Sequence, residues 1–200
     1  MSIIICDGIS LSYGTKDVLC DITFAVNEGA KVGIIGANGA GKTSLFKIIY
    51  GCENPTEGKV FLSKGATVGF LEQLNDGIKL EKSVFDTALD SFSSLLELEI
   101  EIESLQKKLD TGDESIISAY TTASESYHCN GGYEYRAKTR SFLLGLGFSE
   151  EMQNMPAFML SGGQKTRLLL AVLLLKEPDI ILLDEPTNHL DITSKEVFED

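Results

Sequence analysis

In the first third of the chain the apolar positions come in short runs, many of them β-branched, closed off by turn residues. Residues 3–6, 9–13, 22–26 and 31–35 are such runs, separated by Asp7-Gly8, Tyr13-Gly14 and Asn27-Glu28-Gly29. They predict three antiparallel strands leading into a buried parallel strand, Lys31-Val32-Gly33-Ile34-Ile35. After a Pro55-Thr56-Glu57-Gly58 turn, Lys59–Leu62 and Thr67–Leu71 predict a hairpin pair. From residue 83 the period changes. Val84, Phe85, Ala88, Leu89 and Phe92 run into Leu95, Leu98, Ile102, Leu105 and Leu109, whose steps of three and four draw one narrow apolar stripe. Thr111-Gly112-Asp113 breaks it, with Asp113 a candidate N-cap, and Ile116, Tyr120, Ala123 and Tyr127 resume the same steps. Two helices covering each other's stripe make an antiparallel hairpin, either projecting as an arm or packing on the body. Gly131-Gly132 ends it and Tyr133–Leu146 begins another helix. Lys165–Lys176 is a strongly apolar helix, and Ile180-Ile181-Leu182-Leu183 a second buried parallel strand.

Composition narrows the class. With 200 residues, 43% hydrophobic and 24% charged, the chain reads as one globular domain, or one with an insertion. The longest apolar run, Leu168 to Leu175, has eight residues, far short of the ~20 of a membrane span. A net charge of −13 argues against a general nucleic-acid-binding face. The basic stretch Arg136-Ala137-Lys138-Thr139-Arg140 reads as a solvated helix face. Cys6, Cys20, Cys52 and Cys129 show no metal spacing and read as reduced cytoplasmic thiols, and Met1–Cys6 lacks the start of a secretory signal.

The chemistry centres on Gly36-Ala37-Asn38-Gly39-Ala40-Gly41-Lys42-Thr43, followed by Ser44. A strand, a glycine loop and a helix start at Ser44–Tyr50 make an anion site, because open N–H groups and the helix dipole face the same point. Lys42 is placed for the β and γ phosphates of a nucleoside triphosphate and the Thr43 hydroxyl for Mg²⁺. At the carboxyl end of the second parallel strand stand Asp184 and Glu185, where α/β sheets bind ligands. Asp184 suits Mg²⁺ held through water, and Glu185 suits orienting or deprotonating an attacking water. Gln73, near the end of the Thr67–Leu71 strand, could coordinate Mg²⁺, position a water, or be a surface glutamine. Leu160-Ser161-Gly162-Gly163-Gln164 opens the Lys165 helix, with Ser161 as N-cap and glycine amides open to a second anion. Tyr13, alone, is a strand-end tyrosine before a turn, though its ring could stack on adenine.

In this order, the phosphate loop, Gln73, Leu160–Gln164 and the apolar strand ending in Asp184-Glu185 resemble the ATP-binding cassette (ABC) ATPases over nearly the whole chain. The fold implied is α/β, a P-loop NTPase of ABC type. It has a parallel core sheet, an antiparallel β subdomain, and an α-helical subdomain carrying the inserted hairpin. Residues 1–82 would be the nucleotide-binding core, 83–130 the inserted arm, 131–178 the helical subdomain and 179–200 the return to the core. The resemblance makes Tyr13 the adenine-stacking aromatic, Gly36, Asn38, Gly39, Ala40, Gly41, Lys42, Thr43 and Ser44 the phosphate cradle, and Ser161, Gly162, Gly163 and Gln164 the signature offered to a partner cassette's ATP. It implies Thr43, Gln73 and Asp184 around Mg²⁺, Glu185 and Gln73 in catalysis, and Asp191 in a loop toward the partner. Pro186-Thr187-Asn188-His189-Leu190-Asp191, Gly131-Gly132-Tyr133-Glu134 and the hairpin look like the F subfamily, soluble twin-cassette proteins that act on the ribosome in translation or in antibiotic protection. The chain resembles an N-terminal cassette of that kind, with ribosomal RNA and proteins as expected partners. A transporter's nucleotide-binding subunit is the alternative, since every nucleotide motif fits it equally. The family's switch histidine has no counterpart, as His128 and His189 stand elsewhere. The chain therefore reads as a cassette cut before its last strands, with weak or no hydrolysis of its own expected.

Overall fold

The computed structural model describes residues 1–71, 81–111 and 114–184, for residue 114 the backbone alone. Gln73, Asp113, Glu185, the Pro186–Asp191 stretch and the helix expected from Thr193 lie outside the described residues. The chain divides into two compact units, the first holding residues 1–71 and 177–184 and the second 81–111 and 114–176 of those described.

The first unit opens with two long strands, β1 (Ser2–Tyr13) and β2 (Lys16–Asn27), joined at Gly14. Asp7-Gly8 is not a turn, as the sequence suggests, but a bulge. Gly8 takes φ +62° and its N–H donates to Thr23 Oγ1 at 2.9 Å, so the runs 3–6 and 9–13 continue as one strand. Helix α1 (Lys42–Tyr50) follows, then β3 (Glu57–Leu62) and β4 (Val68–Leu71). The expected β3–β4 hairpin does not form. β3 pairs antiparallel with β1, Ile4 opposite Leu62 and Cys6 opposite Val60, giving a sheet ordered β2-β1-β3. A turn at Ser63–Ala66, with Gly65 at φ +83°, then sends β4 into another sheet, parallel with β5 (Ile180–Leu183). A clamp opens that pair: Asp179 Oδ2 accepts from the Thr67 N–H and hydroxyl, both at 2.8 Å, and the Asp179 N–H donates to Thr67 Oγ1.

Lys31–Ile35 is also corrected. It forms no strand, and Val32 and Ile35 are 58% and 99% exposed. A buried strand needs ladder partners for its N–H and C=O groups, and among the described residues this segment has none. An apolar hollow of about 430 Å³ is left between it and β2, lined by Leu19, Phe24, Val32, Ile34 and Leu45. The unit's core joins Ile4, Cys6, Ile9 and Leu11 of β1 to Leu45, Ile48 and Ile49, the apolar face of α1, and to Ile180 and Leu182. Burial pushes the Cys6 thiol up to about 11, so it behaves as a small apolar side chain.

The second unit is helical: α2 (Val84–Leu89), α3 (Ser93–Asp110), α4 (Ile117–Cys129), α5 (Tyr135–Gly145), α6 (Glu150–Asn154) and α7 (Gly162–Leu175). The stripe from Val84 is not one helix, because a 3₁₀ turn at Asp90–Phe92 separates α2 from α3. α2 lies in the core with Tyr135, Leu143, Phe148, Leu168 and Ala171. α3 and α4 pair as predicted. The inner end of the hairpin, at Leu95 and Tyr127, joins this core, while Leu105 and Ala123 are buried outside it. At its base Glu99 accepts from Tyr127 Oη and Arg136 Nη2, each at 2.6 Å. Arg140 lies over the Phe85 ring at 4.3 Å, so the basic stretch on α5 is partly engaged in packing. No described helix is long and apolar enough to cross a membrane.

Candidate functional site

The phosphate loop curls because two of its glycines take backbone angles other residues avoid, Gly39 at φ +79° and Gly41 at φ +90°. Gly41 has a second constraint: a Cβ there would come within 2.8 Å of Leu19 Cδ2 and Val18 Cγ1, because β2 runs close behind the loop. Gly41 is also the N-cap of α1, and among the described residues no side chain caps that helix. The N–H groups of the first helical turn are thus left to an outside acceptor, with the positive end of the helix dipole behind them. Lys42 arches back over the loop, its Nζ donating to the Gly36 and Ala37 carbonyls at 2.8 and 3.2 Å. A cation held above open amides is an arrangement for an anion with several oxygens.

In the first turn of α1, Thr43 Oγ1 donates to Asp184 Oδ2 at 2.5 Å. Asp184 emerges at the carboxyl end of β5, where its N–H reaches the Leu71 carbonyl at 3.4 Å. A hydroxyl and a carboxylate beside an anion site are hard oxygen donors of the kind Mg²⁺ prefers when it also takes phosphate oxygens. That set fits a nucleotide-borne Mg²⁺ rather than an all-protein metal cage, and the described residues contain no cluster of three or more metal-ligating side chains.

Tyr13, the last residue of β1, is 56% exposed. Its hydroxyl donates to the Glu53 carboxylate and lies near Ser44. The Glu53 bond, the largest influence, pushes the tyrosine above its ordinary value. Sequence reasoning missed Glu53. It follows Gly51, which ends α1 at φ +89°, and nothing local marks an acidic residue there as a partner for a residue forty positions away.

In the helical unit Ser161 caps α7 as predicted, in a full capping box. Its hydroxyl accepts from the Gln164 N–H, and Gln164 Oε1 accepts from the Ser161 N–H at 2.9 Å. Gly162 and Gly163 are the first helical positions, whose N–H groups an α-helix leaves without a partner inside the helix, and a Cβ at Gly162 would meet open space. The approach to them is anchored by buried Ala157 and Leu160, with Phe158 and Met159 exposed between. The first unit thus brings together Tyr13, the loop from Gly36 through Asn38, Ala40 and Ser44, and Asp184. Ser161–Gln164 belongs to the second.

A family model described as ABC transporter matches residues 19–188. The chain is similar to an uncharacterized ABC transporter ATP-binding protein, YfmM, of Bacillus subtilis, 36% identical over 96% of this chain and 38% of that protein. It is also similar to the tylosin resistance ATP-binding protein TlrC of Streptomyces fradiae, 34% identical over 92% of this chain and 34% of that one. The energy-dependent translational throttle protein EttA of Mycobacterium tuberculosis is 34% identical over 94% of this chain and 33% of that one. The chain thus spans about a third of the length of these relatives. Among solved structures, a dimeric ATP-binding cassette in a post-hydrolysis state with ADP and Pi superposes with TM-score 0.67 at 23% identity, over 96% of this chain and 78% of that one. The two share the cassette fold, which in this chain combines an antiparallel sheet, a parallel pair and a helical part. With 170 of 200 residues inside the family model, 19 to 188 inclusive, the chain belongs to the ABC transporter family of ATP-binding cassettes.

Proposed function

We propose that this cassette binds and hydrolyses ATP with Mg²⁺ in a cytoplasmic protein that acts on the ribosome, as a translation factor or in antibiotic protection. Its ATP would be closed between two cassettes. The observation that carries the ribosomal part is the α3–α4 hairpin, whose buried Leu105 and Ala123 lie outside the core of the helical unit, so that this half is not needed for a nucleotide site. The names of TlrC and EttA support the same direction. In this reading the amides of Gly39–Thr43 and Lys42 hold the β and γ phosphates, and Tyr13 stacks on the base. Thr43 and Asp184, with Gln73, hold Mg²⁺, which supplies charge neutralisation on the phosphates. Glu185 orients the attacking water and accepts its proton. Ser161, Gly162, Gly163 and Gln164 present amides to the partner cassette's nucleotide. Little covalent work falls to the protein, so catalysis is positioning and charge stabilisation.

The test is co-sedimentation of the Glu185→Gln protein with ribosomes in ATP, with and without residues 104–122. That deletion spares α2 and the base of the hairpin, which belong to the core. ATP-dependent pelleting that the deletion weakens supports the ribosomal reading. Tight ATP binding without pelleting shifts the function to a transporter's nucleotide-binding subunit, and two solved structures of this fold come from ABC transporters.

A further inference from the structure

The linker between α1 and β3 is tied down at both ends. After Gly51 the N–H groups of Cys52 and Glu53 return to the Lys47 carbonyl at 3.0 and 3.3 Å. Three residues on, the Thr56 N–H donates to the Ser10 carbonyl at 2.8 Å, and Thr56 Oγ1 accepts from the Ser12 N–H at 3.1 Å. The linker is therefore stitched to the last turn of α1 on one side and to the end of β1 on the other. Half-buried Glu53 stands between these attachments, and its carboxylate takes the hydroxyl of Tyr13. A tyrosine ending a strand would otherwise sample several rotamers at its own entropic cost. Here its tip is held by a carboxylate on a fixed loop, near Ser44 in the first turn of α1, one residue beyond Thr43.

We propose that Glu53 is a positioning residue for the nucleotide base: it holds the Tyr13 ring beside the start of α1, so that an aromatic face is preset for stacking. The inference rests on the reading that Tyr13 takes the base. Glu53 touches neither base nor phosphate and acts through the tyrosine. Its removal frees the ring and moves the ordering of that side chain into the binding step. Glu53→Ala then weakens ATP binding about three- to tenfold. Tyr13→Phe, which keeps the ring and loses the hydroxyl, has the same effect. The double variant is no weaker than either single one. Glu53→Gln, whose amide oxygen still accepts from the hydroxyl, stays near the unsubstituted protein. Tyr13→Ala, which loses the stacking face, is weaker than all of them.

Calorimetric titration of the full chain with Mg·ATP, and in parallel with Mg·tripolyphosphate, reads these effects. Tripolyphosphate has no base, so its affinity stays the same in every variant and shows that the phosphate loop is intact. Equal weakening for ATP and tripolyphosphate in Glu53→Ala overturns the proposal, since Glu53 would then be supporting the loop. Additive losses in the double variant overturn it too, because Glu53 would be acting independently of the ring. If Tyr13→Ala weakens ATP while Glu53→Ala does not, the base reading stands and the proposal fails. If Tyr13→Ala leaves ATP affinity unchanged, both fail together.

Discussion

Replacing Glu99 separates the contribution of its charge from the contribution of its hydrogen bonds. The carboxylate is 25% exposed and joins three helices, taking the Tyr127 hydroxyl from α4 and the Arg136 guanidinium from α5. The Arg136 side chain is 50% exposed, so that ion pair contributes only about 0–1 kcal/mol. Tyr127 is 9% exposed, and its hydroxyl left without an acceptor costs about 1–3 kcal/mol. Glu99→Ala incurs both and destabilises by about 2–3 kcal/mol. For a chain of this length that is a melting-temperature drop of roughly 5–10 °C. Glu99→Gln retains an oxygen for Tyr127 and forfeits only the charge, a loss of about 1 kcal/mol or less. Thermal melting followed by circular dichroism measures both variants. Equal losses in Ala and Gln would refute the reasoning, because the charge would then outweigh the satisfied hydroxyl. The same follows if neither variant moves the midpoint by more than ~1 °C.

Gly58 sits at φ +86° with Gly8 O 2.3 Å from where a Cβ would stand, so Gly58→Ala adds left-handed strain to a backbone clash. It should cost about 2–5 kcal/mol, visible as a lower denaturant midpoint. Lys42→Ala should weaken triphosphate binding by about 10- to 100-fold in a titration while leaving the melting point of the nucleotide-free protein nearly unchanged, because among the described residues Nζ holds only loop carbonyls. Asp184→Asn keeps an acceptor for Thr43 but drops the charge. It should raise the Mg²⁺ concentration needed for ATP binding by about tenfold and leave Mg²⁺-free binding intact. Two carboxylates predict the acid response. Burial would raise Glu99, but hydrogen bonds from Arg136 and Tyr127 outweigh it and hold it below its ordinary 4.5. Hydrogen bonds to Thr67 hold Asp179 below its ordinary 3.8. Both bind protons more readily in the unfolded chain, so their stabilisation is complete above those ordinary values and disappears as pH falls through the depressed folded ones. Melting temperature against pH should therefore fall on the acid side, and less steeply in Glu99→Gln.

What was legible in the sequence was local. The uncapped glycine start of α1, the Ser161–Gln164 capping box and the stripe of α3 and α4 each depend on residues within a few positions. Partner choice was not legible. Lys59–Leu62 and Thr67–Leu71 read as neighbours because they are consecutive and both strand-like, yet each pairs with a strand elsewhere in the chain. Asp7-Gly8 looks like a turn because a bulge needs the same positive-φ glycine. Lys31–Ile35 has every local mark of a buried strand, and only a partner could make it one. Glu53 and Glu99 escaped notice because a carboxylate bound to a tyrosine 28 or 40 residues away looks, in sequence, like any surface acid.

The clamp between Thr67 and Asp179 does more than open a sheet. It lies four residues before the paired strand ends, roughly 13 Å from where Asp184 comes off β5. A parallel pair has no hairpin to set its register, so those three hydrogen bonds act as the zero mark of a ruler. At the far end of that ruler Asp184 meets Thr43. A slip of one residue would carry the carboxylate about 3.3 Å along the strand and turn the opposite face toward the loop. Alignment of Asp184 with Thr43 is thus calibrated at the opposite end of the strands.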